Sequence, residues 1–257
     1  MTLSTSPARR RLALGALALA AALPAAASPL DWFSSAKVSG NGAVHRQTRA
    51  LPRFEAIALN LPGSVELRLG DSESISVETD DNLQAQIETV VEHGTLRIRP
   101  ARRNATLAPT VLKFIVQAKS VERLTVGGSG SISAAALSTP TLQLEVGGSG
   151  SITIRRLRSD AVTVSIGGSG NFTAGGAAEQ LNIAIGGSGE VLAGQLNTRK
   201  VQVNIGGSGK AVVWARQSLV ASIGGSGDID YYGDPQVSRS VHGSGGVNRL
   251  GAAPRQD

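Results

Sequence analysis

The sequence predicts an all-β protein: a parallel β-helix (solenoid) of coils about 20 residues long, with Gly-Gly-Ser-Gly turns. Three observations carry this. The tetrad recurs at 127–130, 147–150, 167–170, 186–189, 206–209 and 224–227, with His242-Gly243-Ser244-Gly245 as a degenerate seventh copy, and the steps are 20, 20, 19, 20, 18 and 18 residues. Each tetrad is preceded by apolar residues at alternate positions, the period of a strand buried on one face. No segment within the repeats has room for a crossover helix, and a unit this short cannot bury its own apolar edge unless it stacks on copies of itself.

The elements follow in chain order. Residues 1–27 read as a secretory signal: Arg9-Arg10-Arg11, an Ala/Leu run from Leu12 to Leu23, and small residues at Ala25-Ala26-Ala27 for cleavage. The run is shorter than the ~20 residues a membrane span needs, and no second such run follows, so no integral membrane segment is expected. Cleavage removes three arginines and no acid, taking the net charge from +6 to +3. Residues 28–50 are a polar lead-in. Residues 51–250 form one β-helix domain, with irregular first coils and a cap over 51–122 and the tetrad coils over 123–250. Residues 251–257 are a tail. Within 51–122, alternation marks strands at Phe54–Leu59, Val65–Leu69, Ile75–Val77 and Leu96–Ile98. Asp80-Asp81-Asn82-Leu83 opens a short helix or an irregular edge, and His93-Gly94-Thr95 is a hairpin-type turn.

In the tetrad coils, Val126, Val146, Ile166, Ile185, Ile205, Ile223 and Val241 stand just before the tetrads. Two residues earlier come Leu124, Leu144, Val164, Ile183, Val203 and Ala221. Beyond each turn one apolar position recurs, at Ile132, Ile152, Phe172, Val191, Ala211, Ile229 and Val247, and a weaker one follows at Leu137, Leu157, Ala177 and Leu196. Each repeat thus reads as strand, turn, short strand and variable loop, and equivalent residues stack into inward ladders about 4.8 Å apart. Glycine at the corner is expected to supply positive φ and close approach of coil to coil. The tetrad serines are expected to stack hydroxyl on hydroxyl or on turn amides. The tetrad is neither a calcium repeat, since its sixth position is apolar and never Asp, nor a phosphate loop, since G-x-x-x-x-G-K-[ST] is absent.

Phe54-x-x-Ile57, Gly63-Ser64-Val65-x-Leu67, Val77-x-x-Asp80-x-Asn82-Leu83 and Glu92-x-Gly94-Thr95-Leu96-x-Ile98, followed by tandem tetrads, resemble the head GIN domain family of putative auto-transporter adhesins. The resemblance covers roughly residues 51–245. It implies a right-handed β-helix and a secreted, periplasmic or outer-surface location in the bacterial cell envelope. It carries over no catalytic residue, and fold alone does not establish function.

Composition narrows the chemistry. With no Cys, a disulfide framework, a thiolate zinc site and a Cys nucleophile are excluded. Aromatic residues at 3% leave few stacking platforms for single-stranded nucleic acid, and a dispersed +3 does not point to nucleic acid. No cofactor, metal or catalytic constellation is expected. His242 reads as a surface turn residue, Trp214 as core filling or edge packing, and Arg155, Arg156 and Arg158 as solvated loop charges. The one acidic-aromatic cluster is Asp228, Asp230, Tyr231, Tyr232 and Asp234, a candidate surface site for a sugar or cation. Asp228 and Asp230 flank Ile229 and are expected to point outward together, with Lys210 pairing across coils to Glu190 and Asp228. The favoured expectation is a non-enzymatic envelope protein binding polysaccharide or a cell-surface protein. The alternative is a β-helical carbohydrate-active enzyme using Asp228 and Asp230, and a third possibility is a homo-oligomer stacked through the end coil.

Overall fold

A computed structural model describes residues 37–102 and 105–254. The predicted signal segment, 1–27, lies outside the described residues. The chain is nearly all β and winds into a parallel solenoid of about 6 turns. Two walls meet at the tetrad corner. One is built by the strands that lead into it, from Arg123–Val126 and Thr141–Val146 up to Gln236–Val241, and stacks Val126, Val146, Ile166, Ile185, Ile205, Ile223 and Val241 in register. The other stacks Ile132, Ile152, Phe172, Val191, Ala211, Ile229 and Val247. Both predicted ladders are present, and every member is buried except Val241 and Val247 in the last coil.

In four successive repeats the part expected to be a variable loop is strand instead. Ser151–Ile166, Asn171–Ile185, Glu190–Ile205 and Lys210–Ile223 run on through it as single bent strands. A third wall forms there, with Leu137, Leu157, Gly176 and Leu196 in register. Ala177, expected in this ladder, is exposed; Gly176 holds the slot, and the buried Ala178 stacks between Ser159 and Thr198. The 19- and 18-residue coils account for the slip. Register shifts fall between Ile154 and Leu157, Thr173 and Gly175, and Ala193 and Asn197 at the corner between the second and third walls, and between Thr198 and Lys200 where the third wall leads back to the first. The two walls beside the tetrad carry continuous buried ladders and tolerate no slip, because a one-residue shift would turn every apolar side chain outward.

The tetrad glycines serve close approach, not positive φ. In the six full copies none lies in the left-handed region; only Gly243 of the degenerate copy does. The glycines at the second and fourth tetrad positions face carbonyl oxygens of the coil below, Gly128 of the first corner excepted, and a Cβ on Gly148, Gly168, Gly187, Gly207 or Gly225 would overlap the oxygen of the glycine beneath it. Those oxygens are in use: Ser169 N–H donates to Gly148 O at 3.1 Å, Ser188 N–H to Gly168 O at 3.1 Å and Ser208 N–H to Gly187 O at 3.0 Å. The backbone ladder therefore continues around the corner. The serine side chains are exposed, so their hydroxyls face water and not one another's turn amides.

Residues 51–122 form the base in an order that differs from the order along the chain. Ala56–Leu59 and Ser64–Leu69 carry the tetrad coils above, pairing with Arg123–Val126 and Ser131–Ala134. Below them lie strands that come later in sequence, Thr95–Pro100 and Leu112–Ala118. Strand direction then reverses. Ile87–Glu92 runs antiparallel to Thr95–Pro100 through His93 (φ 50) and Gly94 (φ 73), the two positive-φ residues of a tight hairpin. Ser74–Asp80 is antiparallel to Leu112–Ala118, and Val44–Ala50 forms the outer edge. The polar lead-in is thus an edge strand from Val44 on, and its charges suit that place: Arg46 pairs with Glu78, and Arg49 donates to Thr89 Oγ1 and to the Ile87 and Gln84 carbonyls.

The base is closed by the 3-10 turn Asp81–Gln86, which buries Leu83. Beside it the buried Asp80 carboxylate accepts from Gly42 N–H at 2.7 Å, Thr110 N–H at 2.8 Å and Thr110 Oγ1 at 2.7 Å. The Thr110 hydroxyl and these amides hold its pKa below the usual carboxylate value. Asn82 donates to Ser39 O and accepts from Asn41 N–H. Asp80-x-Asn82-Leu83 therefore pins the lead-in across the base and plugs it.

The opposite end is terminated by charge. In the last coil Arg239 takes the slot of buried Ala221, and Arg249 takes the slot above Tyr231. Arg239 is exposed, and Arg249 Nε donates to Gly233 O at 2.8 Å. A charge in an inward slot makes a bare sheet edge costly to cover.

Candidate binding groove

The acidic-aromatic cluster does not converge. Strand alternation sends Asp228 and Asp230 outward as expected, and both are engaged by neighbouring coils. Asp228 Oδ1 accepts from Gly246 N–H at 2.9 Å, and Asp230 accepts from Asn248 Nδ2 at 3.2 Å and pairs with Lys210 Nζ at 3.2 Å. Lys210 thus pairs with Asp230 and not with Asp228, its register partner. Tyr231 follows the inward ladder through Ala193 and Val213 and packs on the core. Asp234 is almost fully exposed, 3.8 Å from Arg249 Nη2. Tyr232 parts from the other four and lines a groove.

That groove runs along the corner between the second and third walls. It measures about 780 Å³ and lies between Arg155 on one side and Tyr232 on the other. Missing side chains create it. Where the coil below carries Arg155 and Arg156, the next coil carries Gly175, and the coil above that has Gly194 at the register shift just before Gln195, the register partner of Gly175. A Cβ on Gly194 would come within 3.4 Å of the Tyr232 ring and 3.2 Å of Val212, so the bare backbone lets the ring lie across it. The outward residues Thr153 and Thr173 contribute hydroxyls to the wall, and Leu192, Val212 and Leu250 contribute apolar surface. Leu192 and Leu250 are 38% and 48% exposed. A polar row beside an apolar, aromatic one suits an amphipathic ligand such as a sugar chain.

The sequence reading missed this groove. Its available signal is the pair of glycines outside the tetrads, Gly175 and Gly194, at equivalent places in successive repeats. Trp214 stands between Asn197 and Tyr232 in the adjoining ladder, half-buried, as edge packing. His45, His93 and His242 fall on the edge strand, the base hairpin and the last corner, with His242 Nδ1 3.4 Å from Ser240 Oγ. Among the described residues no group of three His, Cys, Asp or Glu side chains is placed to hold a metal ion, and no helix is long and apolar enough to cross a membrane.

A search of curated proteins finds no match. Solved structures match over most of the chain. A putative adhesin from Bacteroides fragilis is similar at 22% identity with a TM-score of 0.79, covering 83% of this chain and 100% of its own. A putative lipid binding protein from Parabacteroides distasonis is similar at 28% identity and 0.69, covering 83% and 99%. A putative adhesin from the same species is similar at 23% identity and 0.66, covering 83% and 100%. The family model described as putative auto-transporter adhesin, head GIN domain, matches residues 53–235. A match this long, on a solenoid whose base, ladders and corners span the same residues, makes the chain a member of the head GIN domain family of putative auto-transporter adhesins.

Proposed function

We propose that this chain is a non-enzymatic surface-binding module of the bacterial cell envelope, exported by its N-terminal segment, that holds an extended polysaccharide in the corner groove. The groove itself carries the reading: an open cleft of about 780 Å³ with hydroxyls on one side and Tyr232, Leu192 and Leu250 on the other. The adhesin-like family and fold neighbours support a binding role. The carbohydrate-active enzyme gains no support from Asp228 and Asp230: Asp228 Oδ1 accepts from Gly246 N–H, and both Asp230 oxygens are engaged, by Asn248 and Lys210. Stacking of copies through the end coil would bury Arg239, which disfavours that mode of association. A glycan array probed with the full chain tests the proposal. Binding should be abolished by Leu192→Trp, which fills the groove, and weakened by Tyr232→Ala; absence of binding across glycan and protein panels would refute it.

A second reading, an acyl ligand, is favoured by the exposed Leu192 and Leu250 and by the relative 28% identical described as a putative lipid binding protein. Saturable binding of a fluorescent fatty acid, lost in Leu192→Trp, with no glycan bound, would select it.

A further inference from the structure

We infer that the same corner strip recognises an acidic polysaccharide, with Arg155, Arg156 and Arg158 as its anion-binding residues; this rests on the reading of the strip as a polymer-binding surface. The sequence alone presents these arginines as solvated loop charges, but all three lie on one strand, Ser151–Ile166. Arg155 and Arg156 occupy the corner itself. Arg158 lies one step along the third wall, between Ser138 below and Ala177 above. The corner below is Ala135-Ala136 and the corner above is Gly175-Gly176, so nothing tall flanks the guanidinium groups.

Arginine elsewhere on this molecule is commonly partnered by acid: Arg46 with Glu78, Arg53 with Glu55, Arg68 with Glu66, Arg97 with Glu92, Arg99 with Glu88 and Glu92, and Arg199 with Glu179. Among the described residues Arg155, Arg156 and Arg158 have no ion pair and no side-chain hydrogen bond. Three exposed, unpartnered guanidinium groups within four residues of one strand gather forked donors that can meet carboxylate or sulfate oxygens in pairs.

The surroundings favour a polymer over a small anion. The arginines form a ridge between two clefts, one of about 780 Å³ beside Arg155 and one of about 660 Å³ beside Arg156 and Arg158. A third, of about 390 Å³, lies against Arg155 and adds Ser131, Ser133 and Ser151. From the coil of Ser131 to that of Tyr232 the strip rises five coils, about 24 Å at about 4.8 Å each. Its outward rows carry hydroxyls in the lower coils, at Ser131, Ser133, Ser151, Thr153 and Thr173, and apolar surface above them at Leu192 and Val212, which suits a sugar chain laid along the solenoid axis with its acid groups at the ridge.

Titration calorimetry of the full chain against polygalacturonate, heparin, dextran and phosphatidylglycerol vesicles tests this. Polygalacturonate or heparin should bind and dextran should not, and affinity should fall about ten-fold or more between low and high salt as exposed charges are screened. The variant Arg155→Gln/Arg156→Gln/Arg158→Gln should lose at least about ten-fold in affinity with its melting temperature unchanged. The corresponding triple Lys variant should recover only part, since an ammonium lacks the fork. Acidic-glycan binding that the Gln variant leaves intact, or binding confined to the vesicles, overturns the inference. Dextran binding that Leu192→Trp blocks and the Gln variant does not would overturn it while leaving the groove reading in place. No binding to any probe would overturn both.

Discussion

The corner packing makes a pair of neighbouring substitutions, Gly167→Ala and Gly168→Ala, behave oppositely. Nothing lies within 4 Å of a Cβ placed on Gly167. A Cβ on Gly168 would overlap Gly148 O and also sit 2.9 Å from Gly147 O and 3.0 Å from the Gly148 carbonyl carbon. All three are backbone atoms of the coil below, so no rotamer change relieves the clash. To restore ordinary contact at 3.4 Å the lower corner must retreat by about 1 Å. That retreat strains or breaks the 3.1 Å bond from Ser169 N–H to Gly148 O and disturbs those from Gly167 N–H to Val146 O and Asn171 N–H to Gly150 O. One lost backbone bond (about 1 kcal/mol) plus overpacking strain (about 1–3 kcal/mol) predicts a loss of about 2–4 kcal/mol for Gly168→Ala. At roughly 2–4 °C per kcal/mol for a chain this size, its melting temperature falls by about 5–15 °C. Gly167→Ala should be neutral or raise stability by up to about 1 kcal/mol, because it only narrows the unfolded ensemble. Thermal melts followed by circular dichroism read both. Equal melting temperatures for the two variants would refute the close-approach account of the tetrad.

Other outcomes follow from the two ends and the core. Asp80 has a lowered pKa in the folded state, so its contribution is present above the unfolded value of about 3.8 and is lost as pH falls through the lower folded value. Urea midpoints should drop across that acid range, Asp80→Asn should flatten this limb, and limited proteolysis should then cut first within 37–50. Arg239→Leu removes the charge from an inward slot of the last coil and should produce concentration-dependent end-to-end association in analytical ultracentrifugation; a variant that stays monomeric would count against charge as the terminator. Phe172→Ala empties a fully buried ladder position and should cost about 3–5 kcal/mol by denaturant titration. Gly94→Ala, at φ 73 in the base hairpin, should cost about 1–2 kcal/mol despite open space around it.

Much of the solenoid was legible in the chain. Val126 through Ile223 and Ile132 through Ile229 alternate where they should, and the structure stacks them in register. The end of the stack went unread, although the chain carries its signal: the slot filled by Leu124, Leu144, Val164, Ile183, Val203 and Ala221 next holds Arg239. The base was not legible. Ala56–Leu59, Thr95–Pro100 and Leu112–Ala118 have the same alternating character, and nothing local says that the later strands slip beneath the earlier coil. The acidic cluster misled for a related reason: adjacency in sequence put Tyr231 and Tyr232 together, while the turn of the strand sent one into the core and the other into the groove.

Period and alternation are properties of neighbouring residues, so the sequence by itself determined the all-β solenoid, its coil length, its buried ladders and the corner that recurs in each coil. Which outward side chains share a surface depends on residues about 20 positions apart being brought within about 4.8 Å, and on where the shorter coils lose their residues. Only the tertiary structure could therefore set Gly175 and Gly194 beside Arg155 and Tyr232, and open the groove between them.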